Sequence, residues 1–510
     1  MILEQIIKET CACFSDNPKR MIDILWSVQN QLGWISTESI ELIAKQTEAK
    51  QLDIESVANF YSFFHQKKQG KFVIHLCDDI IDRHAGMIGV EATIKETLNI
   101  ELGETTADGF FSLHHTPCIG MSDQAPAALI NNVVVTKLSP TKIKKILQTL
   151  KKHGCVDSLF KGQASSGLDF IHKMVKSNIR KAGPLLVDAH LNESGLQKAL
   201  NLYPNEIIET LKKSKLRSRD DTGISIASKW RSAKNTEALE SYVICNANEG
   251  ESGAFTDRVL LTERTNLLFE GMTIAAYTIG STQGILYLRA EYRYLLPHLE
   301  YVLEQRRHKG LLGQAISFNP ENKEIFHFDI RIQLGADSYI CGEESALLRS
   351  CEGKCGETLR TLHFPTKVGY LNCPTIVSNA ETFCNVPLIL MKGFEWFQAI
   401  GTEKSKGTKL LSICGDCSKP GVYEFPFGVT VHEVLKAVNV IDAVAVHVGG
   451  MSGGFIASAE FDRQLCFEDL PAGSAIIIFS EELRLSDRVE YFKRKTKTST
   501  CPHPFSEPSI

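Results

Sequence analysis

Residues Cys245 to Arg258, read as CNANEGESGAFTDR, form the stretch that most limits how this chain can fold. The apolar run Tyr242 to Cys245 precedes it, and helical spacing begins near Leu267, so the stretch connects a strand to a helix. Open α/β sheets place their ligands at such connections, beyond the carboxyl ends of strands. Glu249 and Glu251 lie here two residues apart, among glycines and a phenylalanine. Two readings follow from the residues alone: a solvated acidic turn, or one wall of a ligand site.

The remainder of the chain bounds the choice. Its 510 residues suffice for three or four domains with full cores, and 43% apolar with 23% charged residues is the composition of a water-soluble protein. A formal charge of −4 argues against nucleic acid or an anionic membrane as partner, since either would select a basic face. The start, MILEQIIKETCACF, lacks the basic end and apolar core of a signal peptide, and no apolar run reaches membrane-spanning length. Fifteen cysteines is an odd count, which favours free thiols or cofactor ligands in a reducing cytosol over disulfides. The expected location is cytoplasmic, or peripheral to a membrane complex.

From Ile6 to Gln66 the apolar residues recur at helical spacing and predict three or four short helices. KFVIHL, Lys71 to Leu76, then reads as a strand stopping at Cys77, and GFFSLHH as another strand leading to Cys118. Val133 to Leu138 predicts a further strand, followed by a helix after Ser139 and Pro140. A polar stretch, Lys161 to Gly167, marks a domain boundary. Near the end, LLSIC and VYEF around a Pro-Gly turn read as a hairpin. The Cys414 and Cys417 pair has no partner pair, and Gly449 to Gly454 lacks the lysine of a phosphate loop, so neither is assigned chemistry. The basic run Lys493 to Lys497 reads as a solvated helix end.

Motifs along nearly the whole chain resemble one family of redox subunits. The first 150 or so residues resemble the thioredoxin-like iron–sulfur subunit of complex I-related NADH dehydrogenases, which holds a two-iron cluster with C-x4-C and, further on, C-x3-C. Here Cys77 and Cys118 match the first cysteine of each pair, while Asp82 and Ser122 stand where the second ones belong. The resemblance implies half a ligand set, since each ferric ion takes two thiolates. With His75, His84, His114 and His115 close in sequence, the alternatives are a lost site and an oxygen-substituted cluster or zinc site. From Ser214 to about Pro387 the chain resembles the NADH-binding flavoprotein subunit of the same enzymes, found also in NAD-linked hydrogenases and formate dehydrogenases. The opening stretch, YICGEESALLRSCEG from Tyr339, and FPTKVGYLNCPTIVSNAETFCNVP from Phe364 carry that match.

The resemblance assigns cofactor-binding positions residue by residue. In the family's flavin-phosphate loop, GRGGAGFPTG, Arg219, Gly223 and Lys229 are retained, whereas Ser218, Asp220, Asp221 and Ala227 replace glycines. Such a loop binds phosphate through backbone N–H groups, which added carboxylates oppose. Asn246, Glu249, Glu251, Tyr339, Gly342, Glu343, Glu344, Phe364 and Asn379 fall on positions around flavin and nucleotide. The glutamates suit ribose hydroxyls and reject an added 2′-phosphate, which selects NADH. Ile224 and Ser232 stand in place of two aromatics, Asn248 replaces an aspartate and Ser378 an asparagine. Of Cys341, Cys351, Cys355, Cys373 and Cys384 only Cys341 matches a family cysteine, and the five read as small buried thiols. From Gly401 the chain matches the family's ubiquitin-like β-grasp domain. Its end aligns Cys501 with the first ligand of a four-iron cluster, with Pro504 and Glu507 at the next two positions.

The expected architecture is α/β: a helical part over residues 1–68, a thioredoxin-like domain over 69–155, and an FMN- and NADH-binding domain over 165–398. A β-grasp domain over 405–480 and a remnant of the iron–sulfur helical domain over 481–510, a truncated C-terminal helix, complete it. The resemblance implies an NADH:acceptor oxidoreductase subunit in which hydride passes from NADH to FMN and on to a partner, with no catalytic acid or base from the protein. FMN and NAD(H) are the expected cofactors, without iron–sulfur clusters. The expected partners are other subunits of an NADH dehydrogenase, hydrogenase or formate dehydrogenase-like complex, with no nucleic acid and no direct membrane insertion. The alternative is a catalytically degraded paralogue acting as a structural or NAD(H)-sensing subunit.

Overall fold

The computed structural model describes residues 2–160, 167–187, 194–220, 222–319, 324–360, 363–449, 453–471, 473–480 and 490. The chain opens with four helices, Ile2–Cys13, Met21–Leu32, Thr37–Thr47 and Gln51–Phe60. Their local signals are ordinary ones. Ser36 Oγ accepts from the Ser39 N–H at 3.0 Å to start one helix, and Gly33, at φ 82°, ends another in the left-handed region. Ile22, Ile24, Leu25 and Val28 recur at helical spacing and are fully buried.

Strands β1 (Phe72–Cys77), β2 (Phe111–Thr116), β3 (Ala128–Ile130) and β4 (Val133–Val135) follow, forming a sheet in the order β2-β1-β3-β4. β1 and β2 run parallel with Cys77 opposite Thr116, while β3 is antiparallel to both its neighbours. The strand expected over Val133 to Leu138 stops at Val135, because a tight hairpin pairs it with β3 over only three residues. The helix Pro140–His153 starts at a Ser139 cap and ends at Gly154, at φ 67°.

A second sheet holds β6 (Tyr242–Ala247), β7 (Gln283–Leu288), β8 (Gly313–Asn319), β9 (Glu324–Leu334) and β10 (Thr375–Asn379) in the order β10-β6-β7-β9-β8. Its pairs are parallel except β8 with β9. From β6 the chain proceeds to β7 on one side, whereas β10 joins on the other. The carboxyl ends of β6 and β10 therefore form a topological switch point, where a crevice opens. Behind the sheet, the helix Thr265–Ile279 lies so close to Ala380–Lys392 that a Cβ on Gly271 would come within 2.1 Å of the Phe383 carbonyl oxygen.

The third sheet runs β14-β13-β15-β11-β12-β5, from β11 (Thr408–Gly415), β12 (Gly421–Pro426), β13 (Ala445–Val448), β14 (Gly454–Ala457), β15 (Ala475–Phe479) and the earlier β5 (Ile179–Lys181). β11 and β12 form the expected antiparallel hairpin, Leu411 opposite Tyr423, and β11 is parallel to β15. Residues 179–181, inside the unit expected over 165–398, thus pair in the C-terminal sheet. Glu424 fastens that crossover by accepting from the N–H groups of Gly183, Leu185 and Leu186, each at 3.0 Å.

Two contacts lock the units together. Arg258 forms a fully buried bidentate pair with Asp123, both bonds at 3.0 Å, and also donates to the Gly120 carbonyl at 3.0 Å. Between the helical unit and the first sheet, the rings of His65, His75 and His114 stack at 5.0 to 5.6 Å, with Phe63 on His75 at 4.5 Å. Burial, then the neighbouring imidazoles, push His65 down to about 4 and His75 well below its ordinary value.

Replacing Arg258 by Met, which leaves Asp123 buried without its partner, should destabilise the fold by about 3 to 5 kcal/mol. An unchanged urea midpoint would refute that role for the pair. The stacked histidines are neutral in the folded state, so their contribution is complete above their unfolded value of 6.5 and is lost as pH falls from there towards 4. Unfolding free energy should therefore drop between pH 7.5 and 5, and His65→Gln should flatten that dependence in urea titrations.

Candidate functional site

A cavity of about 700 Å³ opens at the switch point. Its floor is the acidic stretch that leaves β6. Asn246 Nδ2 donates to the Gly342 carbonyl at 2.9 Å, and Asn248 Nδ2 to the Ser338 carbonyl at 3.3 Å, lacing this stretch to the loop after β9. Across the opening, the Tyr339 hydroxyl donates to Glu251 Oε1 at 2.8 Å. A Cβ on Gly250 would stand 3.1 Å from the Tyr339 ring, so glycine keeps that approach open.

Glu249 is engaged within the protein. Its carboxylate accepts from the Thr256 and Asp257 N–H groups at 2.8 and 2.9 Å, at the start of the helix Thr256–Glu263, and from Ser474 Oγ at 3.1 Å. There it offsets the helix dipole and ties the β-grasp sheet to the cavity floor. Beside it, burial and then the Glu249 charge raise Asp257 well above the usual carboxylate range. Glu343 and Asn379 likewise cap helices: Glu343 accepts from Ser345 N at 2.9 Å and Ala346 N at 3.0 Å, and Asn379 from Thr382 N at 3.2 Å. Glu344 pairs with Lys229.

Of the twelve positions expected to bind cofactor, ten line this cavity, all but Gly223 and Lys229. Lys229 reaches its edge through Glu344. Gly223, at φ 54°, turns the flavin loop against Phe467, whose ring a Cβ would meet at 2.6 Å. Phe364 stands at the mouth, 73% exposed. Sequence reasoning missed Lys409, a buried cation on β11 that donates to Glu381 Oε2 at 2.5 Å and to the Arg219 carbonyl at 2.8 Å. Its signal was a charge in the strand TKLLSIC, whose neighbours are apolar and face a core.

Among the described residues of the flavin loop, the charged side chains Arg219 and Asp220 are engaged within the protein. The Arg219 guanidinium is held within the protein: it donates to the Lys406 carbonyl at 2.8 Å and lies 4.8 Å from the Phe427 ring centroid, and burial lowers it to about 10. Asp220 accepts from Thr222 N at 3.0 Å and from Ser218 Oγ at 2.6 Å, closing an Asx turn, and lines the cavity. Asp221 lies outside the described residues. Six carboxylates line the cavity, Asp220, Glu249, Glu251, Asp257, Glu343 and Glu344, whereas its lining cations, Arg219 and Lys409, are held by protein carbonyls and Glu381. Hydroxyl donors such as a ribose fit this wall, while the Asp220 carboxylate opposes a phosphate placed beside it.

The cysteine pocket lies at the carboxyl ends of β1 and β2. Cys77 Sγ donates to Asp82 Oδ2 at 3.0 Å, and Asp82 Oδ1 accepts from the Ala127 N–H at 2.8 Å. Cys118 Sγ is 3.5 Å from Ser122 Oγ. Burial raises Cys118 to about 12, Cys77 well above its ordinary value and Asp82 to about 8. Among the described residues no group of three or more His, Cys, Asp or Glu side chains is arranged to hold a metal. Each thiol is hydrogen-bonded to the residue in its partner cysteine's place, so oxygen side chains stand at two of the four positions where a two-iron cluster takes thiolates. Cys501 lies outside the described residues.

Comparison with known proteins agrees with this layout. The chain matches the family described as thioredoxin-like 2Fe-2S ferredoxin over residues 7–151 and the Nuo51 FMN-binding domain over residues 211–388. It is 45% identical over 465 residues to the NAD-reducing hydrogenase HoxS subunit alpha of Cupriavidus necator, covering 90% of this chain and 77% of that one. The chain belongs to that family. It is also 36% identical to a component of the NADH-quinone oxidoreductase of Escherichia coli, over 58% of this chain and 67% of the other. The crystal structure of an NAD+-reducing NiFe-hydrogenase in the air-oxidized state superposes with a TM-score of 0.84 at 33% identity, covering 96% of this chain and 82% of that one. Family membership thus accounts for the order of thioredoxin-like, α/β and β-grasp units in one chain. No helix among the described residues is long and apolar enough to cross a membrane.

Replacing Asp220 by Gly removes the carboxylate from the cavity wall and should tighten FMN binding about tenfold, roughly 1.4 kcal/mol. FMN fluorescence quenching reads this directly, and an unchanged affinity would show that the carboxylate does not oppose the phosphate.

Proposed function

We propose that this chain is the NAD(H)-binding flavoprotein subunit of a cytoplasmic multi-subunit redox complex of the NAD-reducing hydrogenase and NADH dehydrogenase type. The observation that carries the reading is the convergence of ten expected cofactor positions on one cavity at the β6/β10 switch point. When bound there, FMN supplies the conversion of a hydride's electron pair into single electrons for partner subunits. The protein's own residues bind and orient. Glu251, steadied by Tyr339, offers a carboxylate to ribose hydroxyls and repels a 2′-phosphate, which favours NADH over NADPH. Phe364 gives the mouth an aromatic face for the adenine.

We infer further that the thioredoxin-like unit carries no two-iron cluster, on the strength of the Cys77–Asp82 and Cys118–Ser122 contacts. A second reading has its own observation. With Arg219 turned to Lys406 and Asp220 in the cavity wall, the chain holds NAD(H) as a sensing or structural subunit whose flavin turnover is lost. Anaerobic purification with flavin and iron analysis separates the two. A flavin band that NADH bleaches is expected on the first reading, and a colourless protein, unresponsive to NADH with added FMN, rejects it in favour of the second. Iron retained by a variant lacking Cys501 and lost on Cys77→Ala would overturn the cluster-free reading.

A further inference from the structure

Residues 335–343, between β9 and the helix Glu344–Cys351, carry Tyr339, Gly342 and Glu343 and form one wall of the nucleotide cavity. A short 3-10 turn, Tyr339–Gly342, is their one regular element. Their front side is laced to the acidic stretch by Asn246, Asn248 and Glu251. Their back is held by the N-terminal helical unit, which lines no part of the cavity. Trp26 Nε1 donates to the Gly335 carbonyl at 2.8 Å, and the Phe63 N–H to the Ala336 carbonyl at 3.2 Å. Ser62 Oγ donates to Asp337 Oδ2 at 2.5 Å, and Asp337 sits in the left-handed region at φ 63°, where a non-glycine residue needs outside support. Behind the wall, the Tyr61 hydroxyl donates to Ser350 Oγ at 2.8 Å and lies 3.9 Å from Cys341 Sγ. Three consecutive residues are thus gripped from a unit that the α/β sheet does not need for its own pairing.

We propose that Trp26, Tyr61 and Ser62 are positioning residues for nucleotide binding, the helical unit setting the Tyr339–Glu343 wall from behind. This rests on the proposed NAD(H) function of the cavity. Ser62→Ala and Tyr61→Phe remove hydroxyl hydrogen bonds and little volume, whereas shortening the buried Trp26 ring removes its hydrogen bond and also leaves a cavity. The test uses the full chain with two readouts: amide hydrogen exchange of residues 335–343 without ligand, and NADH affinity by calorimetry. Ser62→Ala, Tyr61→Phe and Trp26→Phe should each speed exchange in that segment and weaken NADH about 3- to 10-fold, the first two with little change in Tm and Trp26→Phe with a lower one. Ser62→Thr, which restores a hydroxyl, should recover both. Variants with wild-type exchange, or with faster exchange and unchanged NADH affinity, overturn the proposal while the cavity's function stands. A wild-type chain that binds no NADH overturns the function itself, and is told apart because it appears before any substitution.

Discussion

The buried Arg258–Asp123 pair is the constraint from which the rest of the arrangement follows. Two charges with side chains 2% and 0% exposed are tolerable only when mutually bonded, so their partners fix where two domains meet. Arg258 closes the acidic stretch; Asp123 closes the loop that begins at Cys118. Around them, Ser252 Oγ donates to Asp79 Oδ1 at 2.8 Å and Arg289 Nη2 to the Cys118 carbonyl at 2.6 Å. One side of the acidic stretch therefore walls the nucleotide cavity, and the other backs the cysteine pocket. The two sites implied by the resemblance share one piece of backbone.

That sharing explains how the cysteine pocket persists with half its thiolates. An unfilled cavity at this place would cost packing energy and strand polar groups. Asp82 fills its place while satisfying the Ala127 N–H and the Cys77 thiol, and Ser122 bonds Cys118. The loops consequently keep the shape that Arg258 and Arg289 grip.

Much of the fold was legible because its signals are local. Ser139 and Pro140 start a helix, the apolar run Tyr242 to Cys245 lies within a strand, and LLSIC with VYEF forms a hairpin. What was not legible depends on contacts distant in sequence. Nothing in Ile179–Lys181 announces that it pairs with Val422, and the motif around Arg219 does not say that its guanidinium is held by the Lys406 carbonyl. Lys409 was hidden because its partners, Arg219 and Glu381, come from another domain. The site was legible as a set of positions, and the use of each side chain was not.

The uses divide the retained residues in a way the motif alone conceals. Glu249, Glu343 and Asn379 cap helices, Lys229 pairs with Glu344, and Gly223 makes room for Phe467, so folding alone accounts for their retention. Among the positions that differ from the family, the resemblance implies that Ser218, Asp220, Asp221 and Ala227 stand for glycines of the flavin-phosphate loop and Ile224 and Ser232 for aromatic rings. Glu251, Tyr339 and Phe364 belong to neither group. Glu251 and Tyr339 bond each other across the opening, and Phe364 stands at the mouth, 73% exposed. On the proposed function, these are the side chains that meet the nucleotide.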